Sequence, residues 1–236
     1  MNTPARRLLM WDIDWTLVHT GGVAKLAYAE AFTKVTGVAW RQMPYPGGRT
    51  DRDIAAEAFA LHGIADCTPH LETFFQVYAD EFHARRHLLR DVGRVLPGVP
   101  QVLTALAARP HVVQTLVTGN IAPVALAKLT AFDLHAAVDF EIGGYGREDL
   151  VRADLVRRCR MLAERGHGRF ADAEVVVIGD TVHDVAGALA NGVTAIGVAT
   201  GDTSAAELAA AGAHLVFDDL SEVDAVVDVL AGAAAP

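Results

Sequence analysis

Four short apolar runs, at 7–13, 112–117, 174–178 and 194–198, each close on a polar or glycine-bearing turn, and a helical pattern follows each one. Runs this apolar are what strands buried on both faces require, and strand-then-helix repetition builds a parallel, doubly wound sheet. Ligands of such sheets bind beyond the carboxyl ends of the strands. Segments 138–142 and 214–217 are weaker strand candidates. With 236 residues, 52% hydrophobic and 21% charged, the chain has enough apolar material for one large layered core.

One stretch breaks the alternation. Between the first strand and Leu96-Pro97-Gly98-Val99 the chain runs through helical patterns at about 22–36, 51–62 and 70–89, separated by Gly47-Gly48 and by Asp66-Cys67-Thr68-Pro69. An ordinary βα loop has roughly 2–6 residues, so this is an insertion placed over the strand ends. The expected organisation is an α/β, Rossmann-like core from 1–18 and 91–236 carrying an all-helical cap at 19–90.

Charge narrows the partners. Twenty Lys and Arg against 29 Asp and Glu give a formal net charge of −9, which argues against nucleic acid and against acidic membranes as partners. The apolar run after Arg6-Arg7 is interrupted by Asp12, far short of a signal core or a membrane span, so a cytoplasmic location is the default. Cys67 and Cys159 match no zinc or redox spacing and read as small apolar core residues. The C-terminal run 231–236 reads as a frayed tail.

The first strand ends in Asp12-Ile13-Asp14-Trp15-Thr16-Leu17. Residues i and i+2 of an extended segment point the same way, so Asp12 and Asp14 present their carboxylates together. Two carboxylates about 4 Å apart repel by roughly 4 kcal/mol at an effective dielectric of 20, and a cation, a shared proton or separation must relieve this. Mg²⁺ is the economical answer; solvated turn acids are the plain alternative. Asp180 and Asp184 follow the 174–178 strand through Gly179. They offer hard oxygen ligands from a second strand end, or helix caps.

The strand at 112–117 runs into Thr118-Gly119-Asn120 and a helix from about 121 to 131. A hydroxyl and backbone N–H groups at a helix N-terminus make an anion site suited to phosphate, with an ordinary cap as the alternative. A fixed cation is needed beside it, and Arg152 is preferred over Arg147 within or just before a helical stretch at 149–164.

Taken in order, Asp12-x-Asp14-x-Thr16-Leu17, Thr118, a basic residue near 152 and Gly179-Asp180-x-x-x-Asp184 resemble the four motifs of the haloacid dehalogenase superfamily. The resemblance covers almost the whole chain and extends to the capped, phosphoglycolate phosphatase-like branch. It implies Asp12 as nucleophile, Asp14 as general acid and base, and Thr118, Gly119 and Arg152 as phosphate ligands. It also implies Mg²⁺ held by Asp12, the Asp14 backbone carbonyl, Asp180 and Asp184. The implied activity is hydrolysis of a small phosphorylated metabolite, phosphoglycolate-like or a sugar phosphate, through an aspartyl-phosphate. Trp15 stands where the family usually has glycine, which calls for a bulky residue packed under the cap. Arg stands where the family has a Lys-Pro pair.

Other signals weigh less. Arg49 could reach an anionic substrate or lie solvated, His83 and His87 read as surface residues rather than zinc ligands, and His183 could sit behind the metal or at a helix-start surface. Gly143-Gly144-Tyr145-Gly146 reads as a turn. Three rivals to the phosphatase share parts of this pattern. A hydrolytic dehalogenase lacks the second aspartate, a phosphotransfer receiver lacks the cap, and a non-catalytic phospho-ligand binder is disfavoured by intact motifs. Oligomeric state, monomer or homodimer, leaves no mark on the sequence.

Overall fold

Alternation along the first strand sets the layers. In a computed structural model describing residues 6–232, β1 (Arg7–Trp11) sends Leu9 and Trp11 into one hydrophobic core and Leu8 and Met10 into another. Both faces of the strand are therefore covered, as its unbroken apolar run requires.

The remaining core strands are β4 (Val112–Thr118), β5 (Asp139–Tyr145), β6 (Val175–Gly179), β7 (Thr194–Val198) and β8 (Leu215–Phe217). With β1 they form a six-stranded sheet in the order β5-β4-β1-β6-β7-β8, with every neighbouring pair parallel. Helices α5 (Val99–Ala107), α6 (Ala122–Ala131) and α10 (Val223–Ala231) pack on one face. On the other lie α7 (Arg152–His167), α8 (Val182–Leu189) and α9 (Ala205–Ala210). Trp11 pairs with Leu116 of β4 and with Ile178 of β6, so the carboxyl ends of these three strands open side by side. The chain runs to opposite sides of β1 from there, and this switch point is where such sheets form a crevice.

Helices α1 (Val23–Thr36), α2 (Asp51–Leu61), α3 (Thr68–Arg85) and the short α4 (Leu89–Val92) make up the insertion. It leaves and re-enters the sheet domain through two-residue strands, β2 (Val18–His19) and β3 (Arg94–Val95), which pair antiparallel. The insertion has its own core, in which Tyr28 meets Phe74 and Tyr78 edge-on at 4.8 and 5.0 Å and Phe32 meets Phe59 at 5.1 Å. Ile121 and Val124 at the start of α6 join that core, so one helix belongs to both layers.

Several readings change. Gly143, Gly144 and Tyr145 belong to β5, not to a turn. A Cβ on Gly144 would lie 2.4 Å from the Leu155 carbonyl oxygen, so the glycine is a close-packing device between β5 and α7. Helix α7 begins at Arg152, three residues later than the pattern suggests, because the 147–150 segment supplies carbonyls to the insertion. Thr50 donates to Leu150, and Arg52 donates to Arg147 and Glu148. Trp15 adopts a left-handed backbone (φ 59°) and lines the cavity beneath the insertion, packed on the linking strands with His19 at 4.1 Å and Arg94 over its ring. The two-residue β2 and β3 were too short to leave a periodic signal. Cys159 is buried, whereas Cys67 is only half-buried at the edge of the aromatic core. Ala231 and Gly232 close α10, and the rest of the expected tail lies outside the described residues. Among those residues, no helix is long and apolar enough to cross a membrane.

Candidate active site

Beyond the ends of β1, β4 and β6 the insertion roofs a cavity of about 580 Å³. Asp12, Asp14, Thr118, Gly119, Arg152 and Asp180 all line it. Asp184 lies directly behind, through its contact with Arg152.

Asp12, Asp180 and Asp184 each offer a carboxylate oxygen within 4.8 Å of the other two, and all three are buried. Arg152, at the first turn of α7, pairs with Asp12 at 2.7 Å and with Asp184 at 2.5 Å. Asp184 does two things at once. Its other oxygen accepts from the Thr181 backbone and hydroxyl, capping α8, as a helix-start aspartate does. Gly179 makes this possible, because a Cβ there would stand 2.1 Å from the Asp184 carboxyl carbon.

Burial governs the charges. Desolvation pushes Asp12 up to about 6, opposed by the Arg152 guanidinium and helped by the Asp184 and Asp14 carboxylates. Asp180 is pushed up to about 9 by desolvation and then by Asp12 and Asp184. Three hard oxygen donors facing one guanidinium leave the cluster short of positive charge. That is the donor set and the electrostatic need of a divalent cation.

Asp14 does not join this cluster with its carboxylate. Both its oxygens accept from the Lys128 ammonium, at 2.8 and 2.6 Å, and Asn120 donates to it at 2.8 Å. Asn120 Nδ2 also donates to Thr118 Oγ1 at 2.8 Å, and the Asn120 N–H donates to the same oxygen at 3.3 Å. A hydroxyl that accepts twice keeps its own proton for another oxygen.

The profile of a family described as haloacid dehalogenase-like hydrolases matches residues 9–188, and a HAD-hydrolase-like profile matches 156–223. The chain belongs to the haloacid dehalogenase-like hydrolase family. A protein named 5'-nucleotidase from Pseudomonas aeruginosa is 35% identical over 159 residues, 60% of this chain and 67% of that one. Among solved structures, CbbY from Rhodobacter sphaeroides in complex with phosphate shares the fold at a TM-score of 0.69 and 19% identity, over 92% of this chain and 96% of that one. A predicted phosphoglycolate phosphatase from Haemophilus somnus does so at 0.65 and 17% identity, over 96% and 99%.

As a haloacid dehalogenase-like chain, this protein assigns its two candidate cations differently. Arg152 reaches the carboxylate cluster, whereas half-buried Arg147 turns to Glu72 and the Phe75 ring. Arg49 is tied at 2.6 Å to Asp53 and also to Glu57, which takes its charge. His83, His87 and His183 are exposed.

Lys128 and Asp51 escaped the sequence reading. Lys128 had a signal, because it falls on the buried stripe of α6 with Val124, Ala125 and Leu129. A lysine there needs a partner. Asp51 is a first-turn acid of α2. It is buried, accepts from Ile121 N–H at 2.9 Å, and joins Asp51 N–H to the Gly119 carbonyl at 2.7 Å. Gly119 accommodates this approach, since a Cβ would stand 1.9 Å from the Arg49 carbonyl oxygen.

Desolvation pushes Asp51 up to about 7, against the opposing pull of Ile121 N–H and Lys128. The folded chain thus keeps a proton that the unfolded chain releases near pH 4, and stability drains away as pH rises from about 4 to 7. Asp51→Asn should remove this loss. The variant should nearly match the parent at pH 4 and exceed it by on the order of 4 kcal/mol at pH 8 in urea melts. Parallel pH profiles for the two proteins would refute the assignment.

Proposed function

We propose that the chain is a Mg²⁺-dependent phosphomonoesterase acting on a small phosphorylated metabolite through an aspartyl-phosphate on Asp12. The supporting observation is the convergence of Asp12, Asp180 and Asp184 around one point, with Arg152 and Thr118 on the same cavity floor. In this reading 1–18 and 91–236 form the catalytic core, and 19–90 is the cap that selects the substrate and excludes water.

Asp12, Asp180, Asp184 and the Asp14 backbone carbonyl would hold Mg²⁺, which supplies charge neutralisation for the transferring phosphoryl group. Arg152 and the free hydrogen of Thr118 grip phosphoryl oxygens, together with Gly119 at the head of α6. Arg152 also keeps Asp12 ionised near neutrality, as a nucleophile requires. An Asp12 oxygen bonds to phosphorus as the ester oxygen leaves, taking a proton from Asp14. Asp14 then takes a proton from water as that water attacks phosphorus, releasing phosphate and restoring Asp12.

The hydroxyls and carboxylates of the substrate must suit a cavity bounded by Lys25, Tyr45, Asp51 and Asp202. The Pseudomonas relative adds nucleoside monophosphates to phosphoglycolate and sugar phosphates as classes to try. The test is phosphate release from a panel of these esters by the purified protein with Mg²⁺. One class should exceed the rest by at least about tenfold in kcat/KM. No release from any ester by folded protein would refute the proposal.

A further inference from the structure

Among the described residues, Lys128 and Arg152 are the only buried Lys or Arg side chains. Arg152 serves the carboxylate cluster, so Lys128 needs its own reason to be inside. An unpaired buried ammonium costs several kcal/mol, and partners must meet all three of its donors. They do: Asp14 Oδ1 at 2.8 Å, Asp14 Oδ2 at 2.6 Å and Asn120 Oδ1 at 2.6 Å. The Phe82 ring lies 5.9 Å behind it.

With its donors all used, Lys128 has none left for a substrate. Its side chain is 2% exposed, while that of Asp14 is 37% exposed. The ammonium therefore stands behind the carboxylate and grips it, leaving an Asp14 edge toward the cavity. Asn120 ties the same carboxylate to Thr118 on the phosphate side.

Resting on the phosphatase reading, we propose that Lys128 is the positioning residue for Asp14. It fixes the carboxylate, through α6 and Asn120, where it can reach the leaving oxygen. Lys128 forms and breaks no bond with the substrate. Orientation of a proton donor has a signature that general structural support lacks. A well-placed donor flattens the dependence of rate on leaving-group basicity, because poor leaving groups gain most from the proton.

The experiment measures kcat/KM, which reports events up to departure of the phenol, for a series from 4-nitrophenyl phosphate to phenyl phosphate. Wild type, Lys128→Met, Asp14→Asn and the double variant are compared. Lys128→Met should lose about 10-fold on 4-nitrophenyl phosphate and about 100-fold or more on phenyl phosphate, steepening the series toward that of Asp14→Asn. The double variant should fall no lower than Asp14→Asn alone, because the two residues act as one unit. A uniform fall across the series, or losses that multiply in the double variant, overturns the proposal. Near-UV circular dichroism checks folding, and Lys128→Gln replaces a Met variant that fails to fold. A crystal structure of the variant with Asp14 in an unchanged rotamer also overturns it, whatever the rates. Failure of the wild type on every phenyl phosphate sinks the phosphatase reading and this proposal with it. Failure of the proposal alone leaves wild-type turnover and its Asp12 dependence intact.

Discussion

Asp12→Asn should lose at least about 10³-fold in phosphate release while melting within about 2 °C of the parent. The substitution keeps shape and removes nucleophilicity, since a neutral amide does not attack phosphorus. The Asp12 backbone N–H still donates to the Ile178 carbonyl at 2.9 Å, and Arg152 still pairs with Asp184 at 2.5 Å, so the local frame stays tied. Loss of one carboxylate also relieves repulsion with Asp180 and Asp184, which offsets the lost ion pair with Arg152. Steady-state phosphate release alongside thermal melts decides the matter. Turnover near the parental rate would exclude Asp12 as nucleophile, whatever the fold.

Removal of divalent metal should stop turnover, and Mg²⁺ should restore it. The effect on stability is as diagnostic as the effect on rate. A ligand at about 100 times its Kd stabilises the native state by about 2.7 kcal/mol, which for a chain of this size raises the melting temperature by about 5–10 °C. Asp180, pushed up to about 9, holds a proton that a cation must displace, whereas Asp12 at about 6 is already ionised near neutrality. Metal affinity should therefore rise with pH between about 6 and 9, with protons released on binding. Asp180→Asn should reduce both the melting shift and its pH dependence. Calorimetry in two buffers of different ionisation enthalpy counts the protons. Full turnover in excess chelator, or no melting shift at pH 8, would show that the three carboxylates serve another purpose.

The parallel sheet was legible because its strands are apolar on both faces and its helices have a different period. These are local properties that any window of the chain carries. The insertion was legible for a related reason, as a long helical stretch where a short loop belongs. Acids at 12, 14, 180 and 184 declared themselves by falling at strand ends. Their partners did not: Lys128 reaches Asp14 across 114 positions, and Thr16 reaches Asp180 across 164. The burial that pushes Asp51 and Asp180 upward also comes from groups remote in sequence. Periodicity therefore determined the layers and, with them, which acids fall at the strand ends. Only the tertiary structure decided that Asp14 turns to Lys128 while Asp12 turns to Arg152. Burial makes an unpaired charge too costly to keep, and which partner lies within reach depends on how remote segments pack.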